Sequence, residues 1–120
     1  MIRFMRCLKR KSGTTVEEFR RQIQGERYRS LIKQGAQISG AIDHKISVCL
    51  QLEVMEKIHE ANKSTFEYDA VFELYWGRGA HVGDALNAPE MKALLQELQA
   101  HMEEFVDLPG SPSFILESES

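Results

Sequence analysis

The chain has 120 residues, of which 42% are hydrophobic and 28% charged, and its formal net charge is −3. These values fit a single globular domain over residues 1–120 and exclude a disordered or low-complexity chain. No run reaches the roughly 20 apolar residues that cross a bilayer, and the N-terminal stretch mixes charges with apolar residues, unlike a signal peptide. We therefore expect a cytoplasmic protein with no membrane partner.

The positive charges are concentrated at the start of the chain, where residues 1–35 hold ten Lys or Arg against three Glu. Such asymmetry can indicate nucleic-acid binding. Here the aromatic residues are not interleaved with the basic ones as stacking platforms, and the acidic remainder of the chain would repel a polyanion. We expect no nucleic-acid partner.

The first predicted element is a strand over residues 2–9, which ends at a turn over residues 10–13. Side chains alternate between the two faces of a strand, and here each face carries both apolar and charged groups. This pattern is typical of a strand that is at least partly covered on both faces.

The next segment, residues 13–35, has the pattern of one amphipathic helix. Thr15 and Glu18 form a capping-box pattern at its start, and Gly35 is a natural C-terminal stop. One stripe of this helix holds residues spaced three or four apart, namely Val16, Phe19, Ile23, Arg27 and Leu31. The pattern therefore directs Arg27 toward the core.

A second strand is predicted over residues 37–47, where three isoleucines, Gly40 and His44 alternate on one face. Residues 50–62 fit either a strand or a helix. We favour a short helix, because Glu, Met, Lys and Ala dominate the second half of the segment.

Residues 67–76 form the clearest predicted strand, with Phe72 and Trp76 on one side and Glu73 and Tyr75 on the other. A short helical turn over residues 80–86 follows. A longer helix then begins within residues 87–90, and its apolar stripe consists of Met91, Leu94, Leu95, Leu98, Met102 and Phe105. A final strand covers residues 113–117.

The order strand, helix, strand, strand, helix, strand predicts a ferredoxin-like α+β sandwich, a four-stranded antiparallel sheet with helices on one face. The other face would expose apolar groups such as Val71 and Tyr75. Because a second copy of the chain can cover such a patch, we expect a homodimer.

Three segments, in this order and spacing, carry a resemblance that covers nearly the whole chain: LKRKSGTTVEEFRR at residues 8–21, YDAVFELYW at 68–76, and the stretch from NAPEM at 87 to ILESE at 119. Together they resemble the EthD-like family of dimeric α+β barrel proteins. The resemblance implies a ferredoxin-like protomer whose sheet packs against that of a second protomer, with a pocket between sheet and helices. The wider superfamily includes lactone isomerases, polyketide cyclases and dehydratases, cofactor-independent monooxygenases and proteins without an assigned reaction, so the fold does not give the function.

One position departs from the family pattern. Many members carry a histidine in the first helix, and an ungapped comparison from residues 17–19 puts Arg27 there. A guanidinium stays protonated and cannot act as a base. Arg27 can instead anchor an anionic or carbonyl-bearing ligand. The alternatives are an ion pair with Glu73, Asp43 or a partner's carboxylate, or a side-chain stem that lies on the core with its head in water.

His44 and Glu73 are the remaining acid–base candidates. His44 shares a face with isoleucines, where a histidine satisfied by backbone is the alternative. Glu73 would line the barrel beside Tyr75 and act as a base if its pKa is raised, unless Arg6 on the neighbouring strand neutralises it.

Two functions remain open from these residues. In one, the protein binds an oxygenated aromatic or apolar small molecule and performs cofactor-independent lyase, isomerase or oxygenase chemistry, with Phe72, Tyr75 and Trp76 shaping the pocket. In the other, it is a non-catalytic ligand-binding or accessory homodimer.

We expect neither a metal nor a cofactor. The four histidines show no ligand spacing, and the glycine-rich residues 77–83 lack the context of a nucleotide site. The two cysteines, Cys7 and Cys49, form no C-x-x-C pair, so we expect reduced, mostly buried thiols.

Overall fold

The computed structural model describes residues 1–65 and 67–118, and its centre is one antiparallel sheet. The four strands are β1 Ile2–Leu8, β2 Asp43–Val48, β3 Ala70–Trp76 and β4 Ser113–Glu117, in the spatial order β2-β3-β1-β4. The helices are α1 Val16–Ile23, α2 Glu26–Ser39, α3 Glu53–Asn62, α4 Val82–Leu86 and α5 Pro89–Met102. The predicted four-stranded antiparallel α+β fold is confirmed. None of the described helices is both long and apolar enough to cross a membrane.

The sheet has two chemically different faces. The helix-side face packs against α1, α2 and the end of α5, and β3 contributes to it Ala70, Phe72, Leu74 and Trp76, all buried. The open face carries the intervening residues of β3, namely Val71, Glu73 and Tyr75, which are only half-buried. Because antiparallel partners point the same way, each residue of β1 shares the face of its partner on β3.

The predicted single helix over residues 13–35 is wrong, because the chain breaks at Gly25. Thr15 caps α1 through a hydrogen bond from the Glu18 amide, as predicted, but α1 ends at Ile23. Gly25 is extended, with ψ 158°, and a Cβ there would lie 3.0 Å from the Arg21 carbonyl oxygen. The break rotates the following turns, so that Tyr28 rather than Arg27 enters the core.

Helix α2 continues beyond the predicted stop. Gly35 is buried inside α2, where a Cβ would lie 3.4 Å from Leu94 of α5, so its lack of a side chain lets the two helices approach closely. The helix ends at Gly40, whose left-handed conformation, with φ 72°, suits glycine. The strand predicted over residues 37–47 therefore starts later, at Asp43.

Two elements expose apolar side chains. Helix α3, which the sequence predicted as a short helix, has no buried residue, and Leu50, Leu52, Val54 and Ile58 in and before it are exposed. The edge strand β4 exposes Phe114, Ile115 and Leu116. On β4, Phe114 and Leu116 pair with residues of the open face, so the exposed apolar surface continues across that face.

Candidate functional site

The six residues predicted for the site lie in three separate places. Phe72, Trp76 and His44 belong to the helix-side face, since His44 pairs with Leu74. Glu73 and Tyr75 belong to the open face. Arg27 lies on the outer surface of α2. The structure therefore does not bring these residues together into one catalytic site within a single protomer.

Arg27 forms an ion pair across the outside of the helical layer. Its Nη2 donates to Oε1 of Glu97 on α5, and the two side chains are 57% and 50% exposed. An internal ion pair was one of the predicted alternatives, but the partner is Glu97 rather than Glu73 or Asp43. The predicted direction of Arg27 toward the core is wrong, because Gly25 interrupts the helix before it.

Glu73 accepts a hydrogen bond from Arg3 Nη1 at 3.3 Å on the open face. The predicted alternative, in which Arg6 neutralises Glu73, is wrong. Arg6 stands opposite Phe72 and so lies on the helix-side face, whereas Arg3 stands opposite Tyr75 and shares the face of Glu73. The strand pairing, rather than sequence distance, selects the arginine that neutralises this carboxylate.

His44 and Tyr75 take part in local contacts near β2. The backbone amide of His44 donates to Asp43 Oδ1 at 2.8 Å, and its ring is half-buried at the sheet edge. Lys45 places its Nζ 5.5 Å from the centre of the Tyr75 ring, a cation–π contact on the open face. The sheet itself separates His44 from Glu73.

Trp76 connects the sheet to the end of α2. It is 1% exposed, and its indole N–H donates to the Ser39 carbonyl at 2.9 Å. A buried indole needs such a partner, so the position of Trp76 is explained by packing and one hydrogen bond. Of the residues predicted to shape a pocket, Phe72 is the one that lines the cavity described next.

An apolar cavity of about 190 Å³ lies between the helix-side face and helices α2, α4 and α5. Its lining residues are Phe4, Leu31, Ile32, Gly35, Phe72, Leu74, Leu86, Met91, Leu94, Leu95 and Leu98. All are apolar, and Leu95 is 46% exposed, which places the cavity's rim at the outer side of α5. For scale, a 150 Å³ cavity lined by similar residues binds benzene.

The sequence pointed to part of this cavity. Met91, Leu94 and Leu98 formed the apolar stripe predicted for the second long helix. Of the α2 residues, Leu31 was on the predicted stripe, but Ile32 and Gly35 were missed, because a continuous helix from residue 13 gives the wrong phase for them. The signal that could have corrected it is Gly25, a residue that disfavours helix interiors.

Two polar residues, Tyr28 and Arg6, are neighbours of lining residues in α2 and in the sheet, although neither lines the cavity. Tyr28 is fully buried, and its hydroxyl has no hydrogen-bond partner in residues 1–65 and 67–118. Burial raises the pKa of Tyr28, and the nearby positive charge of Arg6 opposes that rise. Arg6 is half-buried, and desolvation lowers its pKa while the Tyr28 hydroxyl acts in the other direction. Arg6 Nε donates to the Ser111 carbonyl at 3.2 Å.

His101 is a partly buried polar residue of α5 in the helical layer. Its ring packs edge-on against Phe105 with centroids 5.2 Å apart, and its Nε2 is buried with no hydrogen-bond partner in the described part of the chain. Burial lowers the pKa of His101; Glu104 raises it, and Arg27 lowers it further.

Metal and thiol chemistry find little support in the described residues. Among them, no group of three or more His, Cys, Asp or Glu side chains is placed to hold a metal ion. Cys7 and Cys49 are free and half-buried, so the expectation of mostly buried thiols is only partly met. Burial raises the pKa of both, which disfavours a reactive thiolate.

Comparison with known proteins identifies the family to which this fold and cavity belong. A family model of the EthD domain matches residues 11–109. Among curated proteins, none matches this chain.

Three solved structures share the fold. An EthD family protein from Bacillus halodurans has 14% identity and a TM-score of 0.62, and the match covers 98% of this chain and 99% of that one. A dimeric ferredoxin-like protein of unknown function from Thermobifida fusca has 13% identity and a TM-score of 0.57, covering 98% and 90%. SnoaB, a cofactor-independent oxygenase from Streptomyces nogalater, has 13% identity and a TM-score of 0.52, covering 99% and 93%. At these identities the likeness shows the ferredoxin-like fold alone.

Proposed function

Because the chain belongs to the EthD family, we propose that it is a small-molecule-binding protein whose ligand occupies the apolar cavity between sheet and helices. The cavity of about 190 Å³, lined by apolar side chains alone, is the observation that carries the proposal. Its size suits a ligand with about one aromatic ring.

The energetics of packing support this use of the cavity. Protein interiors are close-packed, and an unfilled cavity costs roughly 24 cal/mol per Å³. A bound apolar molecule would recover part of that loss, and the rim at Leu95 gives it a way in.

Binding fits this cavity better than acid–base catalysis. A general base must come within hydrogen-bond reach of the proton that it removes, and neither His44 nor Glu73 is among the lining residues. The proposed roles of His44 and Glu73 as catalytic groups would therefore require a site on a different part of the surface.

Cofactor-independent oxygenation is a second candidate function. SnoaB, which shares the fold, is described as a cofactor-independent oxygenase. A cavity without polar lining excludes water. This favours reaction of a bound substrate with molecular oxygen over hydrolysis of the same substrate. Oxygen uptake in the presence of a ligand found by screening tests this candidate separately from binding.

The proposal includes a homodimer formed through the open face. That face exposes Phe114 (46%) and Leu116 (36%), and it also carries Met5, Val71 and Tyr75. The fold relative from Thermobifida fusca is described as dimeric. Pairing of two open faces would remove these side chains from water and enclose the Arg3–Glu73 ion pair.

Toluene, titrated into isotope-labelled protein and followed by NMR, tests the binding proposal. We expect toluene to change the chemical shifts of residues around the cavity. Leu94→Phe should lose toluene binding, because the larger side chain fills the cavity. Leu52→Phe is the matched control, because Leu52 is 51% exposed and lies outside the cavity. Absence of toluene binding, or equal binding by Leu94→Phe and the parent, would overturn the proposal.

A further inference from the structure

Arg6 and Tyr28 are neighbours of residues that line the apolar cavity, although neither is itself a lining residue. Arg6 is the cross-strand partner of Phe72 and lies two residues after Phe4 on the same face, and both phenylalanines line the cavity. Tyr28 lies one helical turn before Leu31 and Ile32, which line it from α2. Each of the two groups acts on the pKa of the other, so they lie near each other, behind wall residues that the sheet and α2 contribute.

The Tyr28 hydroxyl is an unusual group for a core. It is completely buried and lacks a hydrogen-bond partner in the described part of the chain. Leaving a hydroxyl unsatisfied away from water destabilises the folded state, whereas phenylalanine would fill the same space without that cost. The hydroxyl is therefore explained more simply by a partner that is not part of the protomer.

Arg6 also lacks a charged partner among the described residues. Its guanidinium is half-buried beside Tyr28, and its Nε donates to the Ser111 carbonyl. Among the described residues it has no ion pair with a carboxylate, since Glu73, on the neighbouring strand, lies on the open face and pairs with Arg3. A partly desolvated cation favours an anionic partner.

We propose that Arg6 and Tyr28 form the polar end of the ligand site, and that the ligand is an apolar ring-sized molecule carrying one anionic oxygen. This inference rests on the proposed function, because the apolar body of the ligand occupies the cavity. Carboxylates, phenolates and enolates share the required chemistry. Neither Arg6 nor Tyr28 lines the cavity in this arrangement of side chains, so the proposal requires the Phe4 or Phe72 ring, both in the cavity wall, to move aside when the ligand binds.

The chemistry of the two side chains defines their task. A guanidinium offers only donors, and a tyrosine hydroxyl beside a cation donates readily to an oxygen with negative charge. Neither group removes a proton at neutral pH, because arginine stays protonated and burial raises the pKa of Tyr28. They orient the ligand and stabilise its charge, so that this end of the site selects anions over neutral molecules of the same shape.

Benzoate and toluene, two probes with the same ring and different head groups, test the inference by NMR titration. We expect benzoate to bind the parent protein about tenfold more tightly than toluene, because hydrogen bonds to a charged oxygen are strong. Arg6→Met should remove this preference, and Tyr28→Phe should reduce it severalfold. Both variants should bind toluene within about twofold of the parent, since the cavity is unchanged.

Control variants separate this role from a general effect of charge. Arg21→Met removes an exposed arginine of α1, and Tyr75→Phe removes a hydroxyl on the open face. Both should keep the preference for benzoate. If Arg6→Met fails to fold, Arg6→Lys replaces it in the test. Lysine preserves the positive charge but lacks the planar set of donors of arginine, so this variant should retain only part of the preference for benzoate over toluene.

The outcomes distinguish the inference from the proposed function. The polar-end assignment would be overturned if the parent bound benzoate and toluene equally well. It would also be overturned if Arg6→Met and Tyr28→Phe kept the preference for benzoate. In either case, binding of toluene would leave the cavity proposal in place. Benzoate binding that persists in Leu94→Phe would put the anion elsewhere and also overturn it. Failure of toluene itself to bind would instead overturn the proposed function.

Discussion

The two faces of one sheet differ although the same strands build both. The helix-side face of β3 buries Ala70, Phe72, Leu74 and Trp76, while the open face carries the Arg3–Glu73 ion pair among half-buried apolar groups. The helix-side face is buried and forms one wall of the cavity, so we expect substitutions there to change folding stability. The open face stays in contact with water in one protomer, so we expect substitutions there to change association.

The largest effect should come from the helix-side face. Leu74, which is 5% exposed and lines the cavity, packs against the core. Leu74→Ala should lower the free energy of unfolding by about 2–5 kcal/mol, because it removes buried methyl groups and enlarges the cavity. Urea denaturation measures this loss, which should be the same at low and high protein concentration. A loss that disappears at high concentration would mean that Leu74 acts through association.

The open face should respond in the opposite way. Leu116→Asp places a charge among its apolar side chains and should weaken the proposed homodimer by at least about tenfold, measured by sedimentation velocity. Ile115→Asp is the matched control, since Ile115 is the neighbouring exposed residue of β4 but pairs with Phe4 of the helix-side face. Equal effects of the two substitutions would contradict the assignment of the dimer surface to the open face.

Acidic pH should disturb the helical layer through His101. Burial lowers the pKa of His101 below its ordinary 6.5; Glu104 opposes this shift and Arg27 adds to it. The unfolded chain therefore binds this proton more readily, and the stability due to neutral His101 is lost as the pH falls below 6.5 toward the lower folded-state value. His101→Gln should flatten the fall in melting temperature over that range. An unchanged pH profile would show that His101 does not contribute.

The smallest effect should come from Arg27. Exposed ion pairs contribute about 0–1 kcal/mol, and the Arg27–Glu97 pair lies on the protein surface. Arg27→Ala should therefore change the melting temperature only slightly and leave toluene binding unchanged, as measured by thermal denaturation and NMR titration. Loss of toluene binding in a folded variant would restore Arg27 as a ligand anchor.

The sequence predicted most of the secondary structure because its signals are local. The alternation of residues 67–76 identified β3 and correctly divided Phe72 from Glu73, since successive side chains of a strand point to opposite faces. The capping pattern at Thr15 marked the start of α1 for a similar reason. The break at Gly25 was missed, because a glycine is compatible with a continuous helix and its ψ depends on how the next helix packs.

The candidate site was much harder to predict than the fold. Residue types directed attention to Arg27, His44 and Glu73, yet the tertiary structure separates them onto a helix surface and the two faces of the sheet. Arg6 and Tyr28, the two polar groups that we assign to the ligand site, have no distinctive local pattern. Their importance arises from burial, from missing hydrogen-bond partners and from strand pairing, none of which is visible in the chain alone.

The sequence by itself determined the order of the four strands, the apolar stripe of α5 and the family, because these depend on spacing along the chain. The tertiary structure decided which residues meet. The register of β1 against β3 chose Arg3 as the partner of Glu73 and put Arg6 beside Phe72. The break at Gly25 turned Tyr28 inward, because a change of ψ at one residue reorients every side chain of the helix that follows.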